Sequence, residues 1–211
     1  MAIQFQMNRN ICYLSHLETL SMWQRVFARA QIPIVYSAGF NPHQRVSLPF
    51  PRAVGLQSEN DLVCAFVEDD FGRSSFGENE IARRLPEGCR IESIKMVAGK
   101  SVFHPESAQY RFLPAPAAQE RVEQILAKCR ADLSSGRPVE VYRQGQKGPS
   151  KLINLMEYIE AVEGNREQII VTCRISPSGS LRLEELYAWL GLEADQLREP
   201  PCRKTIRWTQ N

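Results

Sequence analysis

The chain has 211 residues, 43% of them hydrophobic and 24% charged, with a formal net charge of +2. That is ample apolar material for one or two packed cores, and too little net charge for a protein that coats polyanions indiscriminately. The start, Met1-Ala-Ile-Gln-Phe-Gln6, alternates and lacks the basic segment and apolar run of a signal peptide, and no stretch approaches the roughly 20 apolar residues needed to cross a bilayer. The expectation is a cytoplasmic protein with no membrane partner.

In chain order, Ile3–Met7 alternates as a strand, and Ser15-His-Leu-Glu18 has the spacing of a capping box, in which the serine and the glutamate satisfy free amides at a helix start. At 100° per residue, His16, Leu20, Trp23, Phe27 and Ala30 share one side of this helix, with Glu18, Met22, Arg25 and Arg29 opposite, and Pro33 ends it. Ile34–Tyr36 follows as a short strand, Ala38-Gly-Phe-Asn-Pro42 as a turn, and Arg45–Leu48 as extended chain. Asp61–Glu68 reads as a buried strand, Glu78–Leu85 as a short helix and Arg90–Val97 as an alternating strand.

The second half repeats the order with a strand at Gln109–Leu113, a helix at Ala118–Leu133, a strand at Val139–Tyr142, a Gly/Lys loop at Gln144–Lys151, a strand at Gln168–Ile175, a helix at Leu183–Leu190 and a strand at Lys204–Trp208. Ile153–Val162 fits helix or strand. Pro33-Ile-Val-Tyr-Ser-Ala-Gly39 echoes Pro138-Val-Glu-Val-Tyr-Arg-Gln-Gly145, and duplication accounts for both. The predicted class is α+β: tandem ferredoxin-like (split βαβ) halves with antiparallel sheets, the first with an extra β-hairpin. Residues 1–100 form the first half, 101–107 a linker and 108–211 the second half.

Six cysteines (Cys12, Cys64, Cys89, Cys129, Cys173, Cys202) stand at least 25 residues apart with no CxxC, so they read as reduced, mostly buried thiols. No zinc ribbon, iron–sulfur loop or GxxxxGK[ST] phosphate loop is encoded, and no metal or cofactor is expected. Between Asn8 and Arg52 there are five arginines (Arg9, Arg25, Arg29, Arg45, Arg52) against Glu18 alone, a local basic surface on a near-neutral chain.

In a right-handed βαβ unit the helix begins at the edge where the next strand ends. Tyr13, Ser15 and His16 should therefore meet Ser37, Asn41, His43, Arg45 and Ser47, with Arg143, Lys147 and Lys151 at the equivalent edge of the second half, and Tyr36 joins them as a candidate RNA contact. His16 and His43 are the candidates for acid–base catalysis, although His16 on the apolar side also fits a structural role. Phe40, Asn41, His43 and Arg45 combine a stacking ring, an amide, an imidazole and a cation, a kit suited to unpaired RNA. The competing reading has Phe40 plugging the core and Asn41 bonding its own turn.

The runs Tyr13-Leu-Ser-His-Leu-Glu18, Arg29-Ala-Gln-Ile-Pro33 and Tyr36-Ser-Ala-Gly-Phe-Asn-Pro-His43 together resemble the bacterial radical-SAM-linked protein family, closely over Ile3–Glu68 and more loosely beyond. The resemblance implies a partner of a radical-SAM enzyme with a cobalamin-type domain, often encoded near an RNase E/G-type ribonuclease and ribosomal proteins. Glu18 replaces the family's usual Asp, and Lys151-Leu-Ile-Asn154 replaces a Lys-Asp-Ile-Arg-like segment. Three functions follow as expectations: an accessory subunit presenting structured RNA to that enzyme, an RNA-processing enzyme using His16 and His43, or a docking scaffold with an exposed patch at Met22 or Trp208.

Overall fold

The computed structural model describes residues 1–68, 78–97, 102–145, 148–176 and 179–210. It divides into two compact units, Met1–His104 with the last residues from Thr209, and Pro105–Trp208. Among the described residues the chain is a mixed α+β protein with five α-helices.

The first unit opens with β1 (Ala2–Met7), whose alternation buries Ile3, Phe5 and Met7 completely. A 3-10 turn at Arg9–Tyr13 leads to α1 (His16–Arg29). The capping box forms as its spacing predicts: the Glu18 N–H donates to the Ser15 hydroxyl at 3.3 Å, while the Glu18 carboxylate accepts from the Ser15 N–H at 2.8 Å and hydroxyl at 2.7 Å. Ser15→Ala should cost about 1 kcal/mol, seen as a lower denaturation midpoint. Hydrogen bonds from the Ser15 hydroxyl and amide hold the Glu18 carboxyl below its usual range. A depressed folded-state value means a contribution present at neutral pH and lost as pH falls through it, so the gap between variant and parent should narrow in acid without closing, because the hydroxyl still accepts the Glu18 N–H.

The buried stripe of α1 is Thr19, Met22, Trp23, Val26 and Phe27, continued by Ala30, at i, i+3, i+4, i+7 spacing. Met22, expected on the solvent side, is therefore in the core. The face is rotated from the predicted one because Thr19 goes inside, its hydroxyl satisfied by the Ser15 carbonyl at 2.8 Å, while His16 and Leu20 lie at the margin. Trp23 meets Phe5 edge-on with centroids 4.9 Å apart. The helix closes through Gln31 at φ 54°, with the Ile32 N–H reaching the Phe27 carbonyl at 3.0 Å, so it stops before Pro33.

Ile34 and Tyr36 make isolated bridges to Val67 and Gln44 in place of the predicted strand, and β2 is only Val46–Ser47. Pro33, Pro42 and Pro49 remove backbone donors from this stretch, which keeps ladders short. Then follow β3 (Gln57–Ala65), earlier than the predicted Asp61–Glu68, α2 (Glu78–Ala82) and β4 (Cys89–Lys95). The antiparallel order is β4-β1-β3, with β2 on β3.

The next strand is β5 (Phe103–Phe112), which enters the second unit at Pro105, so most of the segment read as a linker is strand. The predicted helix is two pieces, α3 (Pro116–Gln119) and α4 (Val122–Ser135). Next come β6 (Glu140–Arg143) and β7 (Lys151–Asn154), a separate two-stranded ribbon, then β8 (Ile159–Asn165), β9 (Gln168–Arg174), α5 (Leu183–Leu190) and β10 (Cys202–Gln210). The order is β10-β5-β9-β8. A full two-stranded hairpin thus stands in the second half, where the sequence had placed the extra one in the first. Phe112, Val122, Leu126, Ile169, Val171, Leu186 and Trp189 are all buried, and the Trp189 indole donates to Asp132 at 3.1 Å.

Ile153–Val162 proves to be strand, 3-10 turn (Leu155–Glu157), strand. Its helix-like spacing has a specific origin. The pairing of β8 with β9 shifts register between Ile159 and Ala161, and this bulge puts Ile159 and Val162 both inside although they are an odd number of residues apart.

Candidate recognition site

The loop that follows α1 is held at its base by backbone bonds. The Val35 N–H donates to Phe66 at 2.8 Å, the Arg45 N–H to Val35 at 2.9 Å, and the Ser37 N–H to His43 at 2.8 Å. Side chains close it further: the Ser37 hydroxyl lies 2.9 Å from His43 Nδ1 and accepts from the His43 N–H at 3.1 Å. Gly39 takes φ 122°, where a side chain is strained, although a Cβ there would touch nothing. At the tip, Phe40 is wholly solvent-exposed, at 106% relative accessibility, with Tyr36 exposed at the stem. That disposes of the core-plug reading of Phe40. Asn41 and His43 are also exposed, while the Arg45 guanidinium sits 3.9 Å above the Phe66 ring.

Beside this loop lies an open groove of about 660 Å³, lined by Glu18, Ser21, Gln24, Arg25 and Ala28 of α1 and by His43 and Gln44. The Gln44 amide nitrogen donates to the Tyr36 hydroxyl at 3.4 Å, and its Oε1 is buried with no partner. Sequence reasoning missed Gln24, Arg25 and Gln44 as lining residues. The signal was available, because the polar face of α1 is the one a loop at its own sheet edge can approach.

The two histidines do not share a site. His16 lines a small cavity with Thr19, Leu48, Phe50, Arg52, Asp61 and Leu62, and its Nδ1 is buried without a partner, whereas His43 lines the groove. Tyr13 is exposed, but Ser15 is consumed by the helix cap. Of the five arginines read as a basic surface, Arg9 pairs with Glu87, Arg45 stacks on Phe66 and Arg52 is buried in an ion pair with Asp61.

In the second unit Arg143 is likewise committed, with Nε 2.5 Å and an amino group 2.7 Å from the two Glu185 oxygens and 2.9 Å to the Ser180 carbonyl. Those bonds raise its pKa further above the ordinary guanidinium value. Lys151 is exposed, and Lys147 lies outside the described residues. Burial pushes the thiols of Cys64 and Cys129 up to about 11 and that of Cys89 to about 12, which leaves them poor nucleophiles. No cluster of three His, Cys, Asp or Glu suited to a metal occurs among the described residues, and no described helix is long and apolar enough to cross a membrane.

Fold and site together define an α+β protein of two units, the first bearing an exposed aromatic loop beside a groove lined by polar side chains. The chain belongs to the DUF2344 family, described as an uncharacterized protein conserved in bacteria, whose profile matches residues 1–183. No curated protein matches the sequence.

Proposed function

We propose that this protein is a cytoplasmic RNA-recognition accessory that works beside a separate radical-SAM enzyme, each unit being a variant of the split βαβ fold. The observation that carries the RNA reading is Phe40, an aromatic ring held fully in solvent on a loop braced by Ser37 and His43. Such a preorganised ring loses little freedom when a base stacks on it, and Gln24, Gln44, Glu18 and Arg25 offer donors and acceptors alongside. The strand orders β4-β1-β3-β2 and β10-β5-β9-β8 support the fold reading. The radical-SAM partner rests on the sequence resemblance in Tyr13–Glu18 and Tyr36–His43.

Affinity capture from cells under anaerobic, low-salt conditions, with bound RNA sequenced and bound protein identified together, tests both parts. RNA should be recovered and should fall away as salt rises. Phe40→Ala should weaken RNA binding by roughly 1–3 kcal/mol, the worth of one stacked base, with the denaturation midpoint unchanged.

A docking scaffold is the second reading, favoured by a different patch: Tyr13, Leu17 and Val54 are 58%, 72% and 58% exposed, and Gly55 abuts the Tyr13 ring. Capture of the enzyme that survives nuclease treatment, with no RNA bound, would favour it. The acid–base reading is the weakest, because His16 and His43 line separate cavities.

A further inference from the structure

The groove beside the loop is lined by two opposite charges from one stripe of α1. Glu18 and Arg25 stand two helical turns apart, about 10.5 Å along the axis. Both side chains lean toward the helix start: the Glu18 carboxylate is bonded to Ser15, and the Arg25 Nε donates to the Ser21 carbonyl at 3.2 Å. The two-turn spacing therefore carries over to the charged groups, and no ion pair joins them among the described residues. Between them the stripe holds only the small Ser21, with Ala28 one turn beyond Arg25, so the gap is open. His43 and Gln44 of the loop line the same groove.

The bonds already made define what each end still offers. Both Ser15 donors fall on Glu18 Oε2, which leaves Oε1 as an acceptor. They also hold the carboxyl below its usual range, so at neutral pH the group accepts and does not donate. Arg25 has Nε on its own helix, which leaves its two terminal amino groups as a donor fork.

An acceptor at one end and a donor fork at the other match the edges of one RNA base. Guanine sets N1–H and the N2 amino group side by side as donors, and O6 and N7 side by side as acceptors. Adenine and cytosine place a ring-nitrogen acceptor beside the amino group, and uracil sets its one N–H between two carbonyls, so each turns an acceptor toward the carboxylate.

Resting on the RNA reading of the loop, we infer that this groove selects an unpaired guanine, with Glu18 accepting from its N1–H and N2 edge and Arg25 donating to O6 and N7, while Phe40 stacks a neighbouring base. In a duplex the N1–H edge is taken by cytosine, so the site reads single strands.

The test measures binding at low salt of labelled single-stranded uridine oligomers carrying one G, A or C, and of GMP alone, to the full chain and to Glu18→Gln, Arg25→Lys and Phe40→Ala. The parent should hold the G oligomer roughly tenfold tighter than the A or C oligomer, the discrimination of one good bidentate contact. Base analogues assign the atoms: inosine lacks the N2 amino group and 7-deazaguanine lacks N7, and each should weaken binding to the parent. Glu18→Gln keeps the helix cap, because glutamine also serves at that position of the box, and should no longer distinguish guanine from inosine. Arg25→Lys keeps the charge and loses the fork, and should no longer distinguish guanine from 7-deazaguanine. Phe40→Ala should weaken every oligomer and keep the preference. Equal binding of the G, A and C oligomers by the parent, or an unchanged preference in both Glu18→Gln and Arg25→Lys, overturns the guanine assignment, and a loss in Phe40→Ala then leaves the RNA reading standing. If GMP binds and no oligomer does, guanine selection stands and the RNA reading falls. Binding of neither overturns both.

Discussion

Arg52→Met should lower the unfolding free energy by about 3–5 kcal/mol, the usual consequence of removing one partner of a buried ion pair. Arg52 is 7% exposed and Asp61 is 5% exposed. The guanidinium donates to the carbonyls of Cys12 and Leu56 at 2.6 Å each and of Leu14 at 3.1 Å, and approaches Asp61 at 3.5 Å. It therefore ties the 3-10 turn before α1 to the bend before β3. Without it Asp61, which also accepts the Ser58 hydroxyl at 2.6 Å, loses its guanidinium partner, and three carbonyls lose a charged donor they cannot replace. Denaturant unfolding with an unchanged m-value is the measurement. Arg9→Ala, which breaks a surface pair with Glu87, is the control and should shift stability by less than about 1 kcal/mol. A loss at position 52 no larger than that of the control would refute the clamp.

Arg143→Ala should have a comparable effect on the second unit, again about 3–5 kcal/mol, by stranding the Glu185 carboxylate. Glu185 is 6% exposed, and besides the fork from Arg143 it accepts the Arg182 N–H at 2.7 Å, capping α5. One residue thus joins the ribbon to the start of α5. Arg143→Lys should recover little, since an ammonium cannot reproduce the two-pronged contact. Hydrogen exchange localises the damage: amides of β6, β7 and the first turn of α5 should lose protection in Arg143→Ala, while those of β1 and α1 keep it. Uniform loss across both units would contradict this account. Reduced RNA binding by an Arg143 variant would report this unfolding, not a lost phosphate contact.

Elements governed by local chemistry were legible in the sequence. The capping box at Ser15 and Glu18 forms with the predicted partners, and α1, β1, α5 and the turn at Gly39 stand where spacing and turn residues placed them. What was hidden depends on tertiary context. Burial decides whether an arginine is a clamp or a contact, so Arg52 and Arg143 were read as surface charge. A bulge at Ile159–Ala161 leaves a strand that fits a helical spacing equally well, because it breaks the two-residue period on which strand recognition depends. The expected meeting of His16 with His43 fails because α1 turns His16 toward the cavity with Arg52 and Asp61 and presents Glu18, Gln24 and Arg25 to the loop. Phe40 and Tyr142 illustrate a further limit: the sequence marks them as aromatic, and only the folded chain shows them in water.

The central claim is that Tyr36–Arg45 is a surface that binds RNA. Ultraviolet cross-linking of RNA captured with the full chain, followed by mass spectrometry of the protein's peptides, tests it most directly. The account predicts a nucleotide adduct on the peptide containing Phe40 that disappears in Phe40→Ala. RNA attached only to peptides outside the Tyr36–Arg45 loop, or no RNA attached at all, would contradict it.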